Sequence, residues 1–159
     1  MSVMDVLQHS ELFLELTPEQ IERIAALGRE AIYDAGDIII SEGGRSDEVY
    51  VICNGMVEVE VAQGTVHDVP GVPQLSSIVR LGQGQMFGEM ALVDSGTRSA
   101  TVRCAQDGTV LFAIPHIDFW DLFESDYQIG FIVMRNIAAD LSFKLRHRNL
   151  QTRLAGGGA

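Results

Sequence analysis

The sequence predicts a mainly β fold with flanking helices, an antiparallel β jelly-roll barrel with N-terminal helices and a long C-terminal helix. Three observations carry this. Apolar runs of strand length recur between Ala31 and Ile114, separated by Gly, Asn and Asp at turn positions. Helical signals are confined to the two ends of the chain instead of alternating with the strands, which argues against βαβ units. With 159 residues the chain suits one domain with a sizeable core and is short for two. The expected organisation is a single domain over 1–159, with an N-terminal helical region at 10–30, a jelly roll at 31–114 and C-terminal helices at 115–150.

Residues 17–28 read as a helix. Thr17 caps it, Pro18 occupies the first position, Gln20 completes a capping box, and Gly28 is expected to end it. Ile21, Ile24 and Leu27 form its buried stripe. Strands are expected at Asp37–Ile40, Val49–Cys53, Met56–Val61, Ile78–Leu81, Ala100–Ala105 and Val110–Ile114. Asn54-Gly55 and Asp107-Gly108 have the composition of two-residue hairpin turns. Gly64 to Ser77, with Pro70, Gly71 and Pro73, reads as a loop.

Pro115 opens the last helical region, which runs over His116–Glu124, breaks near Ser125 and resumes from Tyr127 to about Leu150. Those 24 residues would span about 36 Å at 1.5 Å each. Met134, Ile137, Ala138, Leu141 and Leu145 recur at three- and four-residue steps, which fits either cover for the chain's own barrel or a dimer seam. The stretch from Leu154 to Ala159, with three glycines, reads as a frayed end.

Charge limits the partners. Eleven Lys and Arg stand against 22 Asp and Glu, a net charge of −11. All the acidic residues precede residue 144, whereas Lys144, Arg146, Arg148 and Arg153 stand from that position on. The acidic body repels nucleic acid and anionic membrane, so neither is an expected partner. The basic tail reads most simply as cations complementing the dipole at the end of the last helix.

Cys53 and Cys104 fall in apolar strands and suit small buried side chains without a disulfide framework. The N-terminus has Asp5 where a signal peptide would carry positive charge, and no apolar run reaches about 18 residues. A cytoplasmic, reduced protein is expected. His9, His67, His116 and His147 lack the close spacing of metal ligands, and no nucleophile-elbow, zincin, P-loop or dinucleotide fingerprint occurs. The expectation is therefore no catalytic residue, no metal, no cofactor and no enzyme activity.

The segment 82–104, GQGQMFGEMALVDSGTRSATVRC, concentrates the chemistry. A helical turn starting at Glu89 would aim unpaired backbone N–H groups at one spot, where the local dipole favours an anion. Gly88 allows close backbone approach. Arg98 offers a permanently charged fork of donors for phosphate oxygens, and the Glu89 carboxylate suits a ligand hydroxyl. One anionic group beside one hydroxyl points to a cyclic nucleotide.

The run FGEMALVDSGTRSATV resembles the phosphate-binding cassette of cyclic nucleotide-binding domains, with the nine-residue step from Glu89 to Arg98 found in the kinase regulatory-subunit type. The resemblance extends upstream through Tyr33, Gly36, Asp37, Gly43, Asp47, Tyr50, Ile52, Gly55, Val57 and Val59, and covers about residues 10 to 150. It implies the jelly-roll fold already read from the strands. It also implies that Glu89 holds the ribose 2′-hydroxyl and Arg98 the cyclic phosphate, with Phe87, Gly88, Met90, Ala91, Ser99 and Ala100 around them. Base capping falls near Leu141, Lys144 and Leu145, and neither Lys144 nor Leu145 offers the hydroxyl of a Ser or Thr. Ser99 after the arginine, where cyclic-GMP-selective relatives often carry Thr, places cyclic AMP ahead of cyclic GMP.

The resemblance implies a stand-alone regulatory sensor that relays occupancy through its last helix to an effector protein or to a homodimer. Relatives that regulate transcription add a helix-turn-helix domain, for which the remaining ten or so residues are too few. A competing expectation is an interaction module that keeps the fold without the ligand.

Overall fold

The computed structural model describes residues 2–41, 43–44, 47–62, 76–94 and 100–155. Among the described residues there are five α-helices and eight strands; the helices are α1 (Val3–Gln8), α2 (Pro18–Ala25), α3 (Met90–Asp94), α4 (His116–Ser125) and α5 (Tyr127–Ala155). The eight strands are β1 (Arg29–Tyr33), β2 (Ile38–Ile40), β3 (Glu48–Asn54), β4 (Val57–Ala62), β5 (Ser76–Leu81), β6 (Met86–Phe87), β7 (Ala100–Cys104) and β8 (Thr109–Pro115). They form two four-stranded antiparallel sheets, ordered β1-β8-β3-β6 and β2-β7-β4-β5. This is the jelly-roll arrangement expected from the strand pattern.

The continuous apolar runs VYVIC and VLFAI belong to β3 and β8, the two central strands of the first sheet. Successive side chains leave a strand on opposite faces, and here both faces are buried. Val49, Val51, Cys53, Phe112 and Ile114 pack against the helical layer, in a core with Phe13, Ile24, Phe119, Val133 and Ile137. Tyr50, Ile52, Leu111 and Ala113 face the second sheet, meeting Ile40, Val57 and Val102. The molecule is thus layered as helices, sheet and sheet.

The helical layer is tied together by polar contacts. Asp126 caps α5, its Oδ1 accepting from the N–H groups of Gln128 and Ile129 at 3.1 and 3.2 Å. Its other oxygen accepts from Arg23 of α2 at 2.6 Å. Asn136 of α5 donates to the carbonyls of Leu12 and Leu14, both at 2.9 Å, and Arg135 pairs with Glu15, whose φ is 72°. The N-terminal strap is therefore fastened to the middle of α5.

Several expectations change in detail. The capping box of Thr17 and Gln20 is formed, but α2 stops at Ala25 with Ala26 as its cap. Gly28 serves packing instead: a Cβ there would stand 2.4 Å from the Phe112 ring. Asn54-Gly55 and Asp107-Gly108 are not hairpins. Gly55 and Gly108 do take positive φ, 99° and 71°, but β3 and β4 lie in different sheets, as do β7 and β8. Turn chemistry reports a local reversal and cannot say which sheet the next strand joins. β5 begins at Ser76, inside the expected loop, whose residues 64–75 lie outside the described residues.

The last helix also departs from expectation. It continues past Leu150 to Ala155, so Lys144 and Arg146 stand about three and two and a half turns inside its end and cannot serve as terminal cations. Residues 156–159 lie outside the described residues. Ile137 is 1% exposed in the chain's own core, and Met134 and Leu141 pack against the same core, so the apolar stripe is mainly cover for the barrel. Leu145 and Ala138 remain exposed, and Tyr127 and Phe131 continue that open face. A dimer seam on α5 excludes Ile137.

Candidate functional site

The segment 82–104 crosses from one sheet to the other. It leaves β5, turns at Gly84 with φ 84°, adds β6 to the edge of β3, forms α3 and re-enters the second sheet as β7. The turn is fixed by backbone bonds: Gly84 N–H donates to the Ile52 carbonyl at 2.8 Å, and Ile52 N–H donates to Gln85 at 2.9 Å. Phe87 pairs in register with Tyr50, and their rings stack with centroids 4.9 Å apart and planes 13° apart. That stack holds the entry to the cassette against the central strand.

Beyond Phe87 the chain reverses at Gly88, whose φ is 85°. Such a conformation suits glycine because a Cβ would collide with the backbone. Glu89 follows at 5% exposure; carboxylates are seldom buried without polar partners, and this one is not without one. The α3 turn then begins at Met90, one residue later than expected, with the Leu92 N–H donating to the Glu89 carbonyl at 3.1 Å. Leu92 is fully buried in the core that contains Ile137 of α5. Met90 is exposed, and Ala91 lies within α3.

On the far side, Ala100 opens β7, half-buried and in register with Val61 of β4. Arg98 and Ser99 lie outside the described residues, between α3 and β7. The structure therefore brings Phe87, Gly88, Glu89, Met90 and Ala91 together at one edge and Ala100 at the other end of the same crossing. Of the expected base-capping residues, Leu141 packs on the chain's own core and Leu145 is exposed. The Lys144 side chain lies outside the description. The Tyr50–Phe87 stack was missed by sequence reasoning; the alternation of Tyr50 with Val49 and Val51 was the available signal, since it turns Tyr50 toward the second sheet.

A cavity of about 190 Å³ lies to one side of this site, lined by His9, Glu11, Gln83, Gln85, Met86 and Asp140 among others. Glu89 is not among its lining residues. Among the described residues no three His, Cys, Asp or Glu side chains gather as a metal site would require. No helix among them is long and apolar enough to cross a membrane.

Residues 30–126 match the cyclic nucleotide-binding domain family, more than half of the chain. The chain belongs to that family. It is 30% identical over 146 residues to the cyclic AMP receptor protein of Thermus thermophilus, covering 89% of this chain and 60% of that protein. It is 28% identical over 120 residues to a cGMP-dependent protein kinase of Caenorhabditis briggsae, covering 76% of this chain and 15% of the kinase. The solved structure of the Thermus thermophilus catabolite activator protein superposes with a TM-score of 0.75 at 28% identity, over 92% of this chain and 63% of that one. This chain thus spans less than two thirds of each of these relatives.

Proposed function

We propose that this chain is a regulatory sensor for a cyclic nucleotide, cyclic AMP in preference to cyclic GMP, which passes occupancy through α5 to a second copy or an effector protein. The observation that carries this reading is the buried Glu89 carboxylate, set directly after the left-handed Gly88 at the start of α3. Glu89 accepts the ribose 2′-hydroxyl. The backbone around Gly88, Met90 and Ala91, together with Ser99 and Ala100, surrounds the phosphate, and Arg98 supplies its counter-charge. Leu141, Lys144 and Leu145 close over the base.

The relay has support in the packing. Leu92 of α3 shares one apolar core with Ile137, Met134 and Leu141 of α5, so a shift of α3 on ligand capture is felt by the helix. The exposed face of α5 that includes Leu145 is the surface for a homodimer or effector. The role is regulatory, in the cytoplasm, without catalysis, cofactor, nucleic acid or membrane.

Titration calorimetry of the purified protein with cyclic AMP and with cyclic GMP tests the reading. One site per chain, with tighter binding of cyclic AMP, is the expected result. Equal or tighter cyclic GMP binding overturns the preference alone. Absence of heat with either nucleotide, in protein freed of co-purified nucleotide, leaves an interaction module that keeps the fold.

A further inference from the structure

β6 is two residues long, so its hold on β3 is brief. The pairing starts where Gly84 and Gln85 bond to the backbone of Ile52, and it ends at the register pair of Tyr50 with Phe87. The next residue is Gly88, in the left-handed region at φ 85°. Glycine enters that region as readily as it enters others, and it has no side chain to anchor the turn. The direction in which the chain leaves β6 is therefore set at Phe87, two residues before Glu89.

Glu89 is suspended between anchors in two separate cores. Phe87 lies in the core between the sheets, with Ile52, Val57, Val102 and Leu111. Leu92 lies in the core under the helices, and its N–H donates to the Glu89 carbonyl at 3.1 Å. A displacement of either anchor moves the carboxylate.

The Phe87 anchor is itself held by Tyr50. The two residues are 4% and 5% exposed, and their rings stack with centroids 4.9 Å apart and planes 13° apart. A flat ring on a flat ring restrains tilt as well as position, whereas an aliphatic side chain of similar volume fills the space without fixing a plane. The Tyr50 hydroxyl donates to Glu48 at 3.3 Å, and Glu48 accepts from Arg29 at 3.2 Å, so the hydroxyl end of the ring is tied as well.

We propose that Tyr50 is a positioning residue for the ribose contact: stacked on Phe87, it sets where the chain leaves β6, hence where the Glu89 carboxylate stands and how strictly the site demands a 2′-hydroxyl. This rests on the reading of Glu89 as the acceptor of that hydroxyl and adds the residue that aims it. Tyr50 touches no nucleotide in this scheme and acts through Phe87 alone.

Competition calorimetry with cyclic AMP and 2′-deoxy cyclic AMP on the full chain tests it. Wild type should prefer cyclic AMP by about ten- to a hundredfold, the worth of a hydrogen bond to a charged acceptor. Tyr50→Met fills similar volume without a flat face, so the preference should fall below about threefold while the affinity for the 2′-deoxy nucleotide stays within about twofold of wild type. Tyr50→Phe keeps the ring and should restore the wild-type preference. Phe87→Leu removes the other half of the stack and should lose the preference as Tyr50→Met does, which serves as the test if Tyr50→Met does not melt cooperatively. In a Glu89→Gln background, Tyr50→Met should remove no further preference. A purely structural role for Tyr50 would weaken both nucleotides alike and leave their ratio unchanged, and that result, or a preference lost already in Tyr50→Phe, overturns the proposal while leaving nucleotide sensing in place. Wild-type protein that binds both nucleotides equally removes the hydroxyl contact and the proposal with it. Wild-type protein that binds neither overturns the sensor reading as well.

Discussion

Gly55 lies so close to Thr109 that a Cβ on the glycine would stand 2.3 Å from the threonine hydroxyl oxygen. The contact joins the two turns that pass between the sheets. Thr109 is fully buried, and its hydroxyl donates to the Gln106 carbonyl at 2.6 Å and accepts from the Met56 N–H at 3.3 Å. Gly55→Ala therefore meets both a positive φ of 99° and a filled space. Urea unfolding should show a loss of about 3 kcal/mol. Gly84→Ala is the matched control, with φ 84° but no atom within 4 Å of the added carbon. It should cost only about 1 kcal/mol of backbone strain. Equal losses would mean that the Thr109 contact contributes nothing.

This pair also marks where the sequence was legible and where it stopped being so. Gly55 and Gly108 were recognisable as reversals because positive φ is a local demand. Which strand pairs with which was not recognisable, because β3 and β4 are neighbours in sequence yet belong to different sheets. β3 and β8 were easy to find as long apolar runs. The two-residue β6 is defined by its bonds to Ile52 and its register with Tyr50, which no local pattern records. At the candidate site, Gly88 and Glu89 stood out by residue type and spacing. The burial of Glu89 is a property of the folded packing that no local pattern records, and the link from Leu92 to Ile137 arises only once α5 covers the sheet. The stripe on α5 was visible, but its division into a core-facing edge with Ile137 and an open edge with Leu145 depends on the angle at which the helix docks.

The N-terminal strap offers a second test. Asn136 is the donor for two carbonyls, those of Leu12 and Leu14. Asn136→Ala removes both bonds and should lower stability by about 1 to 3 kcal/mol, since carbonyls that lose a donor on folding retain their desolvation cost. Asn136→Asp should do no better despite its matching shape, because a carboxylate has no hydrogen to donate and faces two carbonyl oxygens. Thermal melts of the two variants against wild type decide it, and an unperturbed Asn136→Asp protein would show the clasp to be idle.

Stability should fall at alkaline pH through Cys53. Burial of the thiol, with the Glu30 carboxylate adding a smaller effect, pushes its pKa from 9.0 up to about 11. Between those two values the unfolded chain has released the proton while the folded chain keeps it. The unfolded state then binds fewer protons, so the unfolding free energy decreases as pH rises through that window and is unaffected by this group below it. The slope from one such group is at most about 1.4 kcal/mol per pH unit. Cys53→Ala should flatten the decline between pH 9 and 11 relative to wild type. The native thiol should also react with a disulfide reagent far more slowly than the unfolded one. Parallel pH profiles for the two proteins would show that the thiol does not couple to folding.

The nucleotide site itself is tested by substitutions that separate charge from shape. Ligand at one hundred times its dissociation constant should stabilise the wild-type fold by about 2.7 kcal/mol. For a chain of this size that corresponds to a melting shift of about 5 to 10 °C. Arg98→Lys keeps the positive charge but loses the planar fork, so the shift with cyclic AMP should shrink markedly, and Arg98→Ala should nearly abolish it. Glu89→Gln keeps an oxygen able to accept the ribose hydroxyl and should weaken binding less, through loss of charge assistance. Glu89 is buried, so its replacement is also read in the unliganded melting temperature. Glu89→Lys leaves a buried cation beside Phe87 and Leu92 and should lower it. A wild-type-sized cyclic AMP shift in Arg98→Ala would remove the arginine from the phosphate site.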